Sequence, residues 1–170
     1  GLSNIIAASD SLSTFLDEEI TQICEEMKIL SRTELESRYN AYAERYVTQL
    51  SIESKTLIEI ANKDIIPAAI KYADNIEKTS KIYTGMTTVQ EDLLKVVLEN
   101  ITVIKTGITC LESKLFELNK INSISEQLAF AHDEFLKGLN DLREPCDTLE
   151  KIIDRNIWPM PTYKDLLFFL

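Results

Sequence analysis

Between Ser31 and Tyr83 the chain contains no glycine and one proline, Pro67, and its apolar residues keep helical spacing throughout. The stretch opens on Ser31-Arg32-Thr33-Glu34, the pattern of a capping box. There a Ser hydroxyl accepts from a free backbone amide, and a Glu three residues on reaches back to the Ser amide. Leu35, Tyr39, Tyr42, Tyr46 and Leu50 follow, then Leu57, Ala61, Ile65, Ala69, Tyr72 and Ile76. Steps of three and four place them along one helical face. A helix over 32–83 would be on the order of 75 Å long, more than one small domain can cover. Proline removes a backbone donor and crowds the preceding turn, so a kink is predicted at Pro67. Thr84-Gly85 offers a left-handed stop.

The remaining segments read as shorter helices. Over 10–30, Leu12, Leu16, Ile20, Ile23, Met27 and Leu30 keep the same period. Asp17-Glu18-Glu19 suits a helix start, so one helix or two broken near Leu16 both fit. Two overlapping capping boxes at Thr87–Glu91 introduce a helix over 88–118, with Leu93, Val97, Ile101, Ile104, Ile108, Leu111, Leu115 and Leu118 as its stripe. Gly107 interrupts that helix and marks a close approach of a neighbour. Ser123-Ile124-Ser125-Glu126 is a further capping box, for a helix over 124–154 in which Pro145 is expected to produce a bend.

Four glycines and four prolines in 170 residues are too few for a many-stranded sheet, and 45% hydrophobic residues are too many for disorder. The fold class is therefore all-α: an antiparallel helical bundle built on one long helix kinked at Pro67, with an extended, Pro-containing C-terminal tail. Residues 1–170 are expected to form a single helical domain. A net charge of −10 disfavours nucleic acid and acidic membrane surfaces as partners. Cys24, Cys110 and Cys146 are odd in number and widely spaced, which fits a reducing, cytoplasmic setting. No apolar run approaches the roughly 20 residues of a membrane span. The opening Gly1-Leu2-Ser3-Asn4 is not expected to act as a signal peptide, and the missing initiator Met suggests an excised segment.

Catalytic patterns are not found. A di-iron bundle needs two Glu-x-x-His pairs, but His132 is the one histidine and Ala129 stands three residues before it. His132 reads as an edge or surface residue. Without a base partner the cysteines read as core or near-core packing. No glycine-rich phosphate loop is present. Asp17-Glu18-Glu19 and Glu25-Glu26 read as solvated faces, and the tyrosines of the long helix as a rim. No catalytic, cofactor-binding or metal-ligating residue is assigned. The tail 155–170 is different: Trp158, Pro159, Pro161, Tyr163, Leu166, Leu167 and Phe168 form an aromatic, proline-punctuated, apolar terminus. It is expected to be a contact surface, docking on its own bundle or on another domain or subunit.

Two stretches carry a family resemblance. Glu34-Leu35-Glu36-Ser37-Arg38-Tyr39, with Tyr46, Ile52-Glu53 and Ile66-Pro67-Ala68, resembles the C-terminal region of type III glutamine synthetases. So do Leu142-Arg143, Asp147-x-Leu149-Glu150, Trp158-Pro159-Met160-Pro161-Thr162-Tyr163 and Leu166-Leu167-Phe168. The likeness runs from about Ser31 to the end. Ser54-Lys55 departs from an Ala-Leu-like pair, and Lys137-Gly138-Leu139 from Pro-Ala-Met. The resemblance implies a fragment of a larger enzyme that joins glutamate and ammonia using ATP and Mg or Mn, as stacked hexameric rings. Its catalytic residues lie upstream, so none is carried onto this chain and no cofactor is expected in this segment. The implied role is non-catalytic: structural support, with the catalytic domain of the same chain and neighbouring subunits of a homo-oligomer as partners. The alternative is a free-standing helical-bundle adaptor that binds an amphipathic partner helix.

Overall fold

The computed structural model describes residues 8–82, 87–161 and 163–167. Every regular element among them is helical: α1 (Ala8–Ser13), a 3-10 turn (Thr14–Leu16), α2 (Glu18–Glu26), α3 (Arg32–Ile60), a π turn (Ala61–Ile65), α4 (Ile66–Ile82), α5 (Thr88–Leu118), α6 (Ile124–Phe130), a second π turn (Ala131–Phe135), α7 (Leu136–Ile152) and α8 (Tyr163–Leu167). The chain is all-α, with one long uninterrupted helical run beginning at Arg32. Tyr83 and the expected Thr84-Gly85 stop lie outside the described residues. The residues fall into two compact units. One comprises residues 1–54 and 113–137, the other 55–112 and 138–170.

In the first unit, Asp17 ends the 3-10 turn and caps α2. Its carboxylate accepts from the Glu19 and Ile20 amides at 3.0 and 3.4 Å. The helical segment expected over 10–30 is thus two helices with a break at Asp17. The end of α2 is set without a glycine. Lys28 takes a positive φ of 54°, its amide bonds back to Glu25 O, and the Ile29 amide bonds to Cys24 O. That pair of bonds is a Schellman closure, with lysine where glycine is usual.

The Ser31 box forms at the head of α3. The Glu34 amide donates to Ser31 Oγ at 3.4 Å, and the Ser31 amide to Glu34 Oε2 at 2.8 Å. The Ser31 amide, and then its hydroxyl, hold the Glu34 carboxyl below its usual range. The Ser123 box does not form: the Ser123 hydroxyl meets Ser125 Oγ at 2.9 Å and caps no amide. Along α3 the buried positions are Leu35, Tyr39, Ala43, Val47, Leu50 and Ser54. The predicted stripe ran through Tyr42 and Tyr46 instead. The structure turns it by one position, burying small Ala43 and Val47 and leaving Tyr42 exposed, stacked on Phe15 at 5.8 Å. Leu118, Leu128, Ala131 and Phe135 complete this core.

In the second unit the π turn Ala61–Ile65 precedes Pro67 directly. The Ile66 amide reaches back to Ala61 O, one residue further than in an α-helix. A proline in a regular helix clashes with the carbonyl four residues earlier, here that of Lys63. The wider turn falls on that residue. Ala61, Ala68, Ala69 and Ala73 supply a small-residue face. Val97, Ile104, Ile108 and Leu111 of α5 and Leu142, Cys146 and Leu149 of α7 supply the bulk. Each large side chain fully removed from water stabilises by roughly 1.5–3 kcal/mol. Gly107 does mark a close approach: a Cβ there would lie 3.7 Å from Leu142 Cα. The Thr87 box caps α5, with the Thr87 amide donating to Gln90 Oε1 at 3.0 Å and the Gln90 amide to Thr87 Oγ1 at 3.4 Å.

Candidate contact surface

The tail leaves α7 through a turn built on Asp154. Its Oδ1 accepts from the Asn156 amide at 2.7 Å and from Asn156 Nδ2 at 2.9 Å. Its carbonyl accepts from the Ile157 and Trp158 amides at 2.8 and 2.9 Å. This turn carries Trp158 to a buried position, 8% exposed, where its indole N–H has no hydrogen-bond partner among the described residues. Leaving a buried donor unpaired costs about 1–3 kcal/mol, so apolar burial of the ring must outweigh it. Trp158 is therefore covered by the chain itself rather than presented outward.

The other tail residues sort differently. Pro159 and Pro161 are exposed, and Leu166 and Leu167 of α8 are 65% and 64% exposed. Arg155 pairs with Asp165, which ties α8 back to the turn before it. Asp165 thus serves an ion pair, and Thr162 lies outside the described residues. Tyr163 begins α8, and Phe168 also lies outside the described residues. Leu166, Leu167 and the two prolines remain as apolar surface.

The titratable groups are structural in their settings. Cys146 is buried; its thiol donates to Leu142 O at 3.2 Å and is pushed up to about 11, first by burial and then by the Asp147 carboxylate. Such a thiol is a poor nucleophile. His132 is half-buried, as an edge residue would be, its Nδ1 3.3 Å from the Tyr46 hydroxyl, whose own pKa is raised by burial and by Glu53. Beside it, Lys114 Nζ donates to Glu134 O at 3.1 Å and pairs with Glu134 Oε2 at 3.0 Å. Among the described residues, no group of three or more His, Cys, Asp or Glu is placed to hold a metal ion. Nor is any helix among them long and apolar enough to cross a membrane.

Sequence reasoning missed one apolar surface altogether. Of the stripe Leu12, Leu16, Ile20, Ile23, Met27 and Leu30, whose spacing marks one helical face, Leu16, Ile20, Ile23 and Met27 are 41%, 42%, 54% and 66% exposed. The buried residue of α2 is Thr21, at 4%. The helix is rolled so that its Thr21 and Cys24 flank packs inward. Small side chains on that flank were the available signal, since they allow close packing where the isoleucines would not.

Comparison with known proteins agrees with the tail and long-helix motifs. The family profile for the glutamine synthetase C-terminal domain matches residues 1–83. Over those residues, just under half of the chain, the likeness is to the C-terminal domain of glutamine synthetases. It is 29% identical over 178 residues to a glutamine synthetase of Bacteroides fragilis (strain YCH46), covering 99% of this chain and 24% of that protein. It is 24% identical over 177 residues to the type-3 glutamine synthetase of Dictyostelium discoideum, with 99% and 24% covered. For a glutamine synthetase of Butyrivibrio fibrisolvens the identity is 26% over 177 residues, with 100% and 25% covered. The chain thus spans about a quarter of the length of the relatives it matches. Ser54, at a position where the resemblance leads one to expect alanine, is fully buried. Its hydroxyl donates to Leu50 O at 2.7 Å, so the polar atom is satisfied within its own helix.

Proposed function

We propose that this chain is the non-catalytic helical domain of a glutamine synthetase, giving structural support to a catalytic body and to contacts with neighbouring subunits of a homo-oligomer. The observation that carries this reading is the pairing of nearly complete coverage of this chain with about a quarter of each relative's length. The joining of glutamate and ammonia, with ATP and Mg or Mn, then belongs to the catalytic body, in the cytoplasm. The helices would form an antiparallel bundle with its bend at Pro67. The close approach of Gly107 to Leu142 and the bond from Lys105 Nζ to Asn62 Oδ1, at 3.2 Å, support packing of this kind within the second unit. Leu166, Leu167, Pro159 and Pro161 would meet the neighbour, while Trp158 anchors the tail to its own unit.

The test is removal of the residues after Asn156 from the protein at its natural length. Assembly size is followed by sedimentation and glutamine formation by a direct product assay. The expected result is smaller assemblies with reduced activity. Unchanged size and unchanged activity together overturn the reading.

A further inference from the structure

The outward face of α2 is an exposed amphipathic surface with no cover among the described residues. Ile20, Ile23 and Met27 follow one another at steps of three and four on a capped, Schellman-closed helix, so they share one side of it. The carboxylates around them divide into two sets. Glu18 pairs with Arg32 at 3.3 Å, and Glu25 accepts from the Arg32 amide at 3.1 Å; this pair faces the start of α3. Glu19 and Glu26, seven residues apart, border the apolar face on its outer side. Among the described residues no lysine or arginine pairs with either of them. At the other end of the face, Leu16 edges a cavity of about 390 Å³ that is also lined by Phe15, Thr21, Leu35, Tyr39 and Ile124.

We infer that this face docks an apolar surface edged with lysine or arginine, carried by the part of the synthetase polypeptide that this chain does not span. The inference rests on the reading of the chain as a docked domain. The partner's apolar side chains cover Ile20, Ile23 and Met27, and one of them has room to enter the cavity beside Leu16. Its cations meet Glu19 and Glu26, which fix register and partner choice more than affinity. Charge selects this occupant over a second copy of the same face. Another copy would bring two more carboxylates to the same rim on a chain of net charge −10.

Methionine oxidation reads the cover directly, because susceptibility follows exposure. Met27 is 66% exposed, so in an uncovered chain it reacts nearly as fast as a free methionine peptide. In the protein at its natural length, under dilute peroxide with peptide mass spectrometry, Met27 is expected to oxidise several-fold more slowly than such a peptide added to the same reaction. The double substitution Glu19→Lys with Glu26→Lys is expected to remove that protection while leaving the helical circular dichroism unchanged. Carbodiimide cross-linking of Glu19 and Glu26 is expected to join them to lysines outside these 170 residues. Oxidation of Met27 as fast as the added peptide overturns the inference, as does protection indifferent to the charge reversal. Cross-links confined to lysines of this chain replace the proposed occupant by a second copy. If Met27 is unprotected while removal of the tail still shrinks the assembly, this inference fails and the structural role stands.

Discussion

Gly107 tests whether packing in the second unit is as tight as its geometry indicates. A Cβ at this position would lie 3.3 Å from Leu142 Cδ1 and 3.7 Å from Leu142 Cα and Cβ. The longer distances are ordinary contacts, so with alanine the backbones stay where they are and only one methyl group must retreat. Alanine gains about 1 kcal/mol of helix propensity over glycine. Moving fully buried Leu142 off its rotamer costs about 0.5–1.5 kcal/mol. Gly107→Ala should therefore lie within about 1 kcal/mol of the native chain. Gly107→Val adds volume beyond Cβ, where the backbone of α7 cannot retreat, and is expected to cost about 2–3 kcal/mol. Leu142→Ala alone should cost about 2–5 kcal/mol through the cavity it opens. In that background valine has room, so the double substitution should be less damaging than the sum by at least about 1 kcal/mol. Urea unfolding at constant slope gives each value from the midpoint. Valine as well tolerated as alanine, or a strictly additive double variant, would show that the two helices do not meet as described.

The Schellman closure at Lys28 predicts that Lys28→Gly strengthens the end of α2 by about 1 kcal/mol, since a side chain at positive φ is strained. Slower amide exchange over α2 checks this, and faster exchange refutes it. Cys146 should resist maleimide in the native chain while exposed Cys110 reacts, and equal rates would contradict its burial. Its folded thiol sits at about 11 against an ordinary 9.0. The unfolded chain therefore loses this proton first. The corresponding stability is complete below about pH 9 and declines as pH rises towards 11, a slope that Cys146→Ala should flatten.

Helix content and most of the second unit's core were legible because their signals are local. The α5 stripe named from periodicity contains Val97, Ile104, Ile108, Leu111 and Leu118, all buried. The boxes at Ser31 and Thr87 close as their residues require. The box at Ser123 has the same residue pattern and fails, because a second hydroxyl two residues on captures the capping atom. A helix's amphipathicity states that one side is apolar, not which way that side is turned. That is why the spacing over 10–30 does not tell which flank of α2 is buried, and why the spacing along α3 favours Tyr42 over Ala43. The tail illustrates the same limit. Its composition marks a docking segment, yet only the Asp154 turn determines that Trp158 goes inward while Leu166 and Leu167 stay out.

The two π turns were not foreseeable, because a widened turn leaves the apolar period nearly intact. Each is met by a lysine of α5: Lys105 Nζ donates to Asn62 in the first, and Lys114 Nζ to the carbonyl of Glu134 in the second. For Lys114 the acceptor is a main-chain carbonyl, which an α-helix rarely offers because its interior carbonyls already serve the ladder; a π turn loosens that ladder by one residue. Proline accounts for the position of the first turn but not the second, which stands well before Pro145 and contains His132 and Phe135. There the turn sets a half-buried imidazole against the Tyr46 hydroxyl while Phe135 is fully buried in the core. The widened turn at Ala131–Phe135 thus fits a core aromatic and a polar pair into five consecutive residues, an arrangement specified by packing in three dimensions rather than by any short sequence pattern.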